Sequence, residues 1–178
     1  RNVCKRIYRI LDLTGYARID LRMTPDGRLY ILEANPNPQL ALGEDFADAA
    51  AAEVRKQGLR TVGLLGTRFT MEQDFYVGRL AQRFGLRVLI PQFDEREMIH
   101  RVIFDELVLG DIRADSRAQY LDVIDRLIER GAQGIILGCT EVSMLVGPGD
   151  TTVPVFDTTE LHALQAVEWA LEDEKGGS

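Results

Sequence analysis

The residues best placed for chemistry in this sequence stand at the ends of short apolar runs. Cys139 closes the run GIILGC and is followed directly by Thr140 and Glu141. A cysteine at the carboxyl end of a buried parallel strand, where a helix opens, lies where open α/β sheets bind their ligands. Free N–H groups in the first turn of that helix, together with its dipole, would favour a thiolate and lower the thiol pKa. Thr140 and Glu141 can cap or line the same edge. The plainer alternative is a small buried core residue, the commonest setting for a free cysteine. A second group lies in LLGTRFTMEQDFY (64–76), where Gly66, Thr67 and Thr70 open a helix with hydroxyls and unpaired N–H groups suited to a carboxylate. Thr70 with Gln73 also reads as an ordinary capping box. A third is FDTTELH (156–162), in which Asp157, Thr158 and Thr159 cap a helix and His162 follows one turn in. A histidine there is ordinarily a surface or structural residue; at a site it would carry protons near neutral pH.

These positions need elements to hold them. Four nearly all-apolar segments, TVGLLG (61–66), RVLI (87–90), GIILGC (134–139) and VPVF (153–156), read as buried parallel strands. Helical patterns over roughly 70–84, 94–109, 115–130 and 160–173 alternate with or follow them, and a short helix at 140–146 follows Cys139. The fold class expected is α/β: a small doubly wound, flavodoxin-like parallel sheet with right-handed crossovers. Ahead of it stand an N-terminal helix (2–12) and an antiparallel hairpin, ARIDLRM (17–23) and RLYILEA (28–34), around Thr24-Pro25-Asp26-Gly27. If Thr24 pairs with Gly27, one hairpin face holds Ala17, Ile19, Leu21, Met23, Tyr30, Leu32 and Ala34. The other holds Arg18, Asp20, Arg22, Glu33 and Asn35. The hairpin could extend the parallel sheet or cover one of its faces. After NPNPQL an Ala-rich helix ends at Gly58. The organisation expected is a first segment 1–50, a sheet segment 51–173 and a tail 174–178.

Composition narrows the functions. Against 21 Lys and Arg the chain carries 28 Asp and Glu, a net charge of −7, which leaves no basic footprint for nucleic acid. The two cysteines, Cys4 and Cys139, are too far apart in sequence, and too isolated from histidine, to suggest a disulfide framework or a zinc site. No run of about 18 apolar residues suggests a membrane span, and RNVCKRIYRI alternates bases with apolar residues, unlike a signal peptide. A soluble, cytoplasmic protein is expected, and the opening Arg1 reads as the start of a fragment.

The three strand-end groups together resemble the second half of the aspartate/glutamate racemase family, over roughly 58–172. The stretches that carry the resemblance are GLLGTRFTMEQDFY, LVLGDIRADSRAQYLDVIDRLIERGAQGIILGCTE and VPVFDTTELHA. GCTE in place of the GCTH of glutamate racemases points to the aspartate or broad-specificity branch. The resemblance implies an isomerase that works without pyridoxal phosphate or any other cofactor on a small acidic amino acid. It makes Cys139 one of two catalytic thiols, has Thr67, Thr70 and Thr140 hold the substrate's charged groups, and sets Glu141 beside the thiol; His162 would join the substrate-binding edge. Inverting a Cα centre takes a thiolate on one face to remove the proton and a thiol on the other to return one. The family's first lobe, which carries the other thiol, has no counterpart in this sequence. Cys4 lies in a helix instead of a strand-end motif, so its position alone does not make it the second thiol.

Residues 15–47 resemble a different family, the last catalytic stretch of ATP-grasp ligases such as D-alanine–D-alanine ligase. In that family RxD and ExNP hold the magnesium ions of ATP, which maps the metal-binding role onto Asp20, Glu33 and Asn35, with Mg and ATP as ligands. The lysine-bearing grasp subdomain and any Gly-rich loop are missing. The whole reads as a chimera joined near Ala47 to Ala52. Its last helix carries Leu161, Leu164, Val167, Trp169 and Leu171, an apolar face in need of a partner, and a homodimer could bring two copies of Cys139 to opposite faces of one substrate. The alternatives are a catalytically silent scaffold and a Mg or nucleotide-binding remnant.

Overall fold

Two compact units divide the chain, Arg1–Asp45 and Phe46–Ser178; the computed structural model describes residues 7, 9, 10, 17–24, 26, 28–36, 46–164 and 167. The expectations for Cys4, Pro25, Gly27, Trp169 and Leu171 fall outside those residues. In the first unit, residues 7, 9 and 10 are helical, and β1 (Ala17–Met23) pairs antiparallel with β2 (Leu29–Pro36) as a separate two-stranded sheet. The hairpin's register differs from expectation. Thr24 closes on Arg28: its N–H donates to the Arg28 carbonyl at 2.9 Å, and its hydroxyl accepts the Arg28 N–H at 3.2 Å. Asp26 reinforces that longer loop by accepting from the Thr24 hydroxyl and pairing with the Arg28 guanidinium at 2.9 Å. A bulge after Asp20 shifts the pairing again, as an extra residue in one strand does. Asp20 ends opposite Glu33 and Arg18 opposite Asn35, whereas beyond the bulge Leu21 faces Ile31 and Arg22 faces Tyr30.

The second unit opens on α1 (Phe46–Lys56), whose Ala47, Ala50, Ala51 and Val54 recur at helical spacing and are wholly buried or nearly so. The helix runs without interruption through position 50 and ends where Gly58 takes a φ of +74°, a left-handed conformation that glycine adopts without strain. The four apolar runs then form one parallel sheet. Its strands are β3 (Thr61–Leu65), β4 (Arg87–Leu89), β5 (Ile135–Leu137) and β6 (Val155–Asp157), in the order β4-β3-β5-β6. Val62, Leu64, Leu65 and all three residues of β5 have no exposed surface. Both faces of these strands meet helices, which is why their sequences do not alternate.

The expected helix at 70–84 is two: α2 (Arg68–Glu72) and α3 (Asp74–Phe84), separated by Gln73 in an extended conformation. Thr67 starts the first two residues early by accepting the Thr70 N–H, and Gln73 then caps the end of α2 and the start of α3. On the other side of the sheet, α4 (Phe93–Asp105) stops short of position 109 and continues as a single 3₁₀ turn, Leu107–Leu109. It is followed by α5 (Ala114–Glu129). Right-handed crossovers from β3 to β4 and from β4 to β5 run in opposite directions, so α3 covers one face and α4 with α5 the other. Asp48 of α1 joins the α3 layer by accepting from Arg79 at 2.7 and 2.9 Å and from Arg83 at 2.5 Å. Residues 158–164, here α6, follow β6. The short helix expected at 140–146 is a single 3₁₀ turn, Val142–Met144, with i→i+3 bonds from Val142 to Cys139 and from Met144 to Glu141; Gly147 and Pro148 end it before it can lengthen. Among the described residues no helix is long and apolar enough to cross a membrane.

Candidate functional site

The strand order reverses between β3 and β5, and the crevice outside their carboxyl ends is the switch point at which sheets of this kind take ligands. The two strand ends are locked together there, since the Gly138 N–H donates to the Leu65 carbonyl at 2.7 Å. A Cβ on Gly138 would stand 2.9 Å from Thr70 Cγ2 and 3.2 Å from Leu64 Cδ1; one on Gly66 would stand 3.1 Å from Thr70 Cβ. Thr70 is thus seated in space that two missing side chains leave, directly beside the residue that precedes Cys139. Gly138→Ala will force Thr70 or Leu64 out of place and cost about 1–3 kcal/mol. Calorimetry will register this as a fall in Tm, whereas Gly147→Ala, where a Cβ meets nothing within 4 Å, will leave Tm unchanged.

Two hydroxyls line the β3 side of the crevice: Thr67 Oγ1 and Thr70 Oγ1 are 3.1 Å apart. On the β5 side Cys139 Sγ donates to Glu141 Oε2 at 2.9 Å, and Thr140 Oγ1 donates to the same oxygen at 2.7 Å. Ser143 Oγ bonds the Thr140 carbonyl at 2.9 Å and holds the turn. The sulfur does receive the backbone N–H groups of Glu141 and Val142, which favour a thiolate. The expected lowering of its pKa is nevertheless overturned. Burial, then the bond to the Glu141 carboxylate and that group's charge, push the thiol up to about 12. One 3₁₀ turn has little dipole to set against them. For Glu141, burial works against ionisation, but the bonds donated by Cys139, Thr140 and its own N–H hold its carboxyl below the usual range.

Tyr120 is the residue that sequence reasoning missed. It sits among Ser116, Val123, Ile124 and Leu127 on the buried stripe of α5, where it reads as core. Its fully buried phenol donates to the Ile99 carbonyl at 3.0 Å, and burial, followed by the neighbouring Cys139 and Glu106, pushes its pKa up. Only its polar tip in an apolar stripe could have flagged it. The third edge is tied in by Thr158, whose buried Oγ1 donates to the Leu137 carbonyl at 2.8 Å, while Asp157 Oδ1 caps α6 by accepting the Thr159 N–H at 2.9 Å. His162 lies one turn into α6 and is half-buried. Cys139, Thr67, Thr70, Thr140 and Glu141 therefore share one sheet edge. Asp20, Glu33 and Asn35 belong to the hairpin of the other unit. Among the described residues no three His, Cys, Asp or Glu side chains converge as a metal centre.

Comparison with known proteins finds two families in the chain, their matches overlapping over residues 45–59. A family model described as Asp/Glu/Hydantoin racemase matches residues 45–166, and one described as D-ala D-ala ligase C-terminus matches residues 1–59. Among solved structures, a candidate Asp/Glu racemase from Yersinia pestis is 50% identical with a TM-score of 0.69, over 71% of this chain and 55% of its own. An aspartate racemase homologue from Pyrococcus horikoshii OT3 is 38% identical with a TM-score of 0.65, over the same shares. The Picrophilus torridus aspartate racemase is 25% identical with a TM-score of 0.53, over 67% of this chain and 49% of its own. A Pectobacterium carotovorum subsp. carotovorum protein, described as uncharacterized and in the pnlA 3′ region, is 28% identical over 124 residues, 68% of this chain and 81% of its own. The chain spans about half the length of the solved structures it matches.

Proposed function

The chain belongs to the Asp/Glu/Hydantoin racemase family, matched over residues 45–166, and from that premise we propose that it supplies one acid–base face of a racemase for a small acidic amino acid, without pyridoxal phosphate. The observation that carries this reading is the Cys139 thiol at the switch point, bonded to a carboxylate 2.9 Å away and flanked by hydroxyls. In this reading Thr67, Thr70 and Thr140 hold the substrate's carboxylates with their hydroxyls. Glu141 is the counter-charge for its ammonium group, and His162 closes the edge.

The raised thiol pKa sets the order of events. In the free chain Cys139 is protonated, so it begins as the donor: its S–H proton goes to one face of a Cα carbanion, and the sulfur becomes a thiolate. The proton on the opposite face leaves to a second thiolate, which becomes a thiol. Proton count is conserved; only the configuration at carbon and the sulfur that holds the proton change. The reverse direction is the same step run backwards: the Cys139 thiolate takes the proton from its face of Cα and becomes a thiol, while the second thiol returns its proton to the other face and becomes a thiolate. The second sulfur is Cys139 of a second copy of the chain, in a homodimer of two half-sites; it acts as the base once its proton has gone to solvent, which the substrate's ammonium group favours by offsetting the Glu141 charge, and a reducing cytoplasm keeps both sulfurs free. Incubation with L-aspartate, L-glutamate and L-alanine in D₂O tests the substrate class: proton NMR will show loss of the α-proton from the two acidic amino acids and not from alanine. An intact α-proton in all three would leave a silent scaffold, whose family motifs are inherited and idle.

A second reading concerns the first unit. The match to a D-ala D-ala ligase C-terminus and the register pairing of Asp20 with Glu33 favour a remnant of an ATP-grasp site. Two carboxylates and the Asn35 amide are the oxygen donors Mg²⁺ takes, with nucleotide phosphates and water completing its shell. If this function persists, Mg-ATP will raise the Tm and Asp20→Asn will remove the rise; an equal rise in the variant would reject it.

A further inference from the structure

The edge that carries Cys139 also carries an exposed apolar rim that the proposed chemistry does not use. Phe69 of α2 and Phe104 of α4 are 45% and 49% exposed, and Val108 and Leu109, one turn on, are 53% and 75% exposed. The rim is continuous. The His100 ring lies 6.0 Å from Phe69 and 4.7 Å from Phe104, and its Nδ1 accepts the Arg68 N–H at 3.3 Å. It also lies near the thiol: Phe69 directly precedes Thr70, whose Cγ2 would stand 2.9 Å from a Cβ on Gly138, the residue before Cys139.

We infer that this rim is the docking surface for a second copy of the chain, paired about a twofold axis so that the two Cys139 edges face each other. The inference rests on the half-site reading above and names the surface that would complete it. Four large apolar side chains, each about half exposed or more, stand together on this rim, and a patch within the roughly 300–600 Å² of a monomer's largest marks an interaction surface when charges rim it. A stable pair removes about 800 Å² from each partner, with aromatic anchors at the centre and charges around them. Phe69 and Phe104 are such anchors. Arg101 and Asp105, both exposed on α4, carry opposite charges that a twofold axis can set against each other. The unit has a competing surface, a groove of about 550 Å³ floored by Ala49, Ala52, Leu161 and Leu164. It reaches Glu53 and Lys56 in the last turn of α1, at the end of the sheet where β3 begins, and a pair formed there would not oppose the thiols.

Sedimentation equilibrium on the full chain and on Val108→Glu, Leu109→Glu and Leu164→Glu distinguishes the two surfaces, with circular dichroism to show that each variant folds. The rim variants will raise the dimer dissociation constant by at least about tenfold, because an unpaired charge is forced into an apolar contact; Leu164→Glu will leave it unchanged. In a Cys4→Ser background a short bis-maleimide will link two copies through Cys139, and Leu109→Glu will prevent it. A monomer at all concentrations, or a dimer broken by Leu164→Glu and not by the rim variants, would overturn the inference. The α-proton assay separates this failure from that of the half-site reading. Exchange that survives undiminished in a monomeric Leu109→Glu chain refutes the facing of two Cys139 edges across the pair and leaves the chemistry of a single thiol standing. A rim-dependent dimer that exchanges no α-proton upholds the docking and refutes the thiol chemistry.

Discussion

Glu141→Gln will speed the alkylation of Cys139 at pH 8 by roughly three- to thirtyfold. The carboxylate both accepts the S–H bond at 2.9 Å and opposes a second negative charge beside it. An adjacent charge of that kind moves a pKa by about 1–3 units, and each unit changes the thiolate fraction at a fixed pH about tenfold. A less basic thiolate is a weaker nucleophile, which returns nearly half of that gain on a logarithmic scale. Burial, the larger cause of the raised pKa, survives the substitution, so the thiol will remain less reactive than a free cysteine. In the parent chain the alkylation rate will climb about tenfold per pH unit through pH 8 to 10, with no plateau at the ordinary thiol range, because the thiol titrates only near 12. The same shift bears on stability. Above the ordinary thiol pKa the unfolded chain loses a proton that the folded chain keeps, so this contribution is complete below about 9 and is lost as pH rises toward 12. Peptide mapping by mass spectrometry assigns the label to Cys139 and not Cys4; an unchanged or slower rate in Glu141→Gln would contradict the geometry.

The fold was legible because its signals are local and agree with one another. TVGLL and GIIL carry no polar alternation, and only a strand covered on both faces suits them. Thr67 and Cys139 were placeable for the same reason: each directly follows such a strand, and the topology brings those two strand ends together. What escaped the sequence depends on directions that side chains take in space. The hairpin register turned on the Thr24 hydroxyl closing a loop onto Arg28 and on a bulge after Asp20, neither of which alternation alone specifies. The thiol's electrostatics turned on where the Glu141 carboxylate points. As an N-terminal helix residue it reads as a cap, yet it accepts the S–H bond and reverses the expected shift. Tyr120 shares its stripe with apolar residues, so its proximity to Cys139 is a property of packing and not of pattern. The break at Gln73 is of the same kind, set by a Thr67 cap that starts α2 early.

Cys139→Ser will reduce α-proton exchange by about 10²–10⁴-fold, the range supplied by one positioned acid–base group. Serine keeps the shape and can donate the same bond to Glu141, so the variant will fold with an unchanged Tm. Its hydroxyl ionises far less readily than the thiol and can neither take nor return the α-proton at useful rates. Glu141, the hydroxyls of Thr67, Thr70 and Thr140, and the apolar rim all remain in place, which isolates the sulfur as the only change. The rate at which aspartate acquires deuterium at Cα in D₂O, measured side by side for the parent chain and Cys139→Ser, is the most direct measurement. Exchange in the parent chain that falls to the buffer rate in the variant is the result expected of a thiol acting on Cα; equal rates in the two proteins would contradict it.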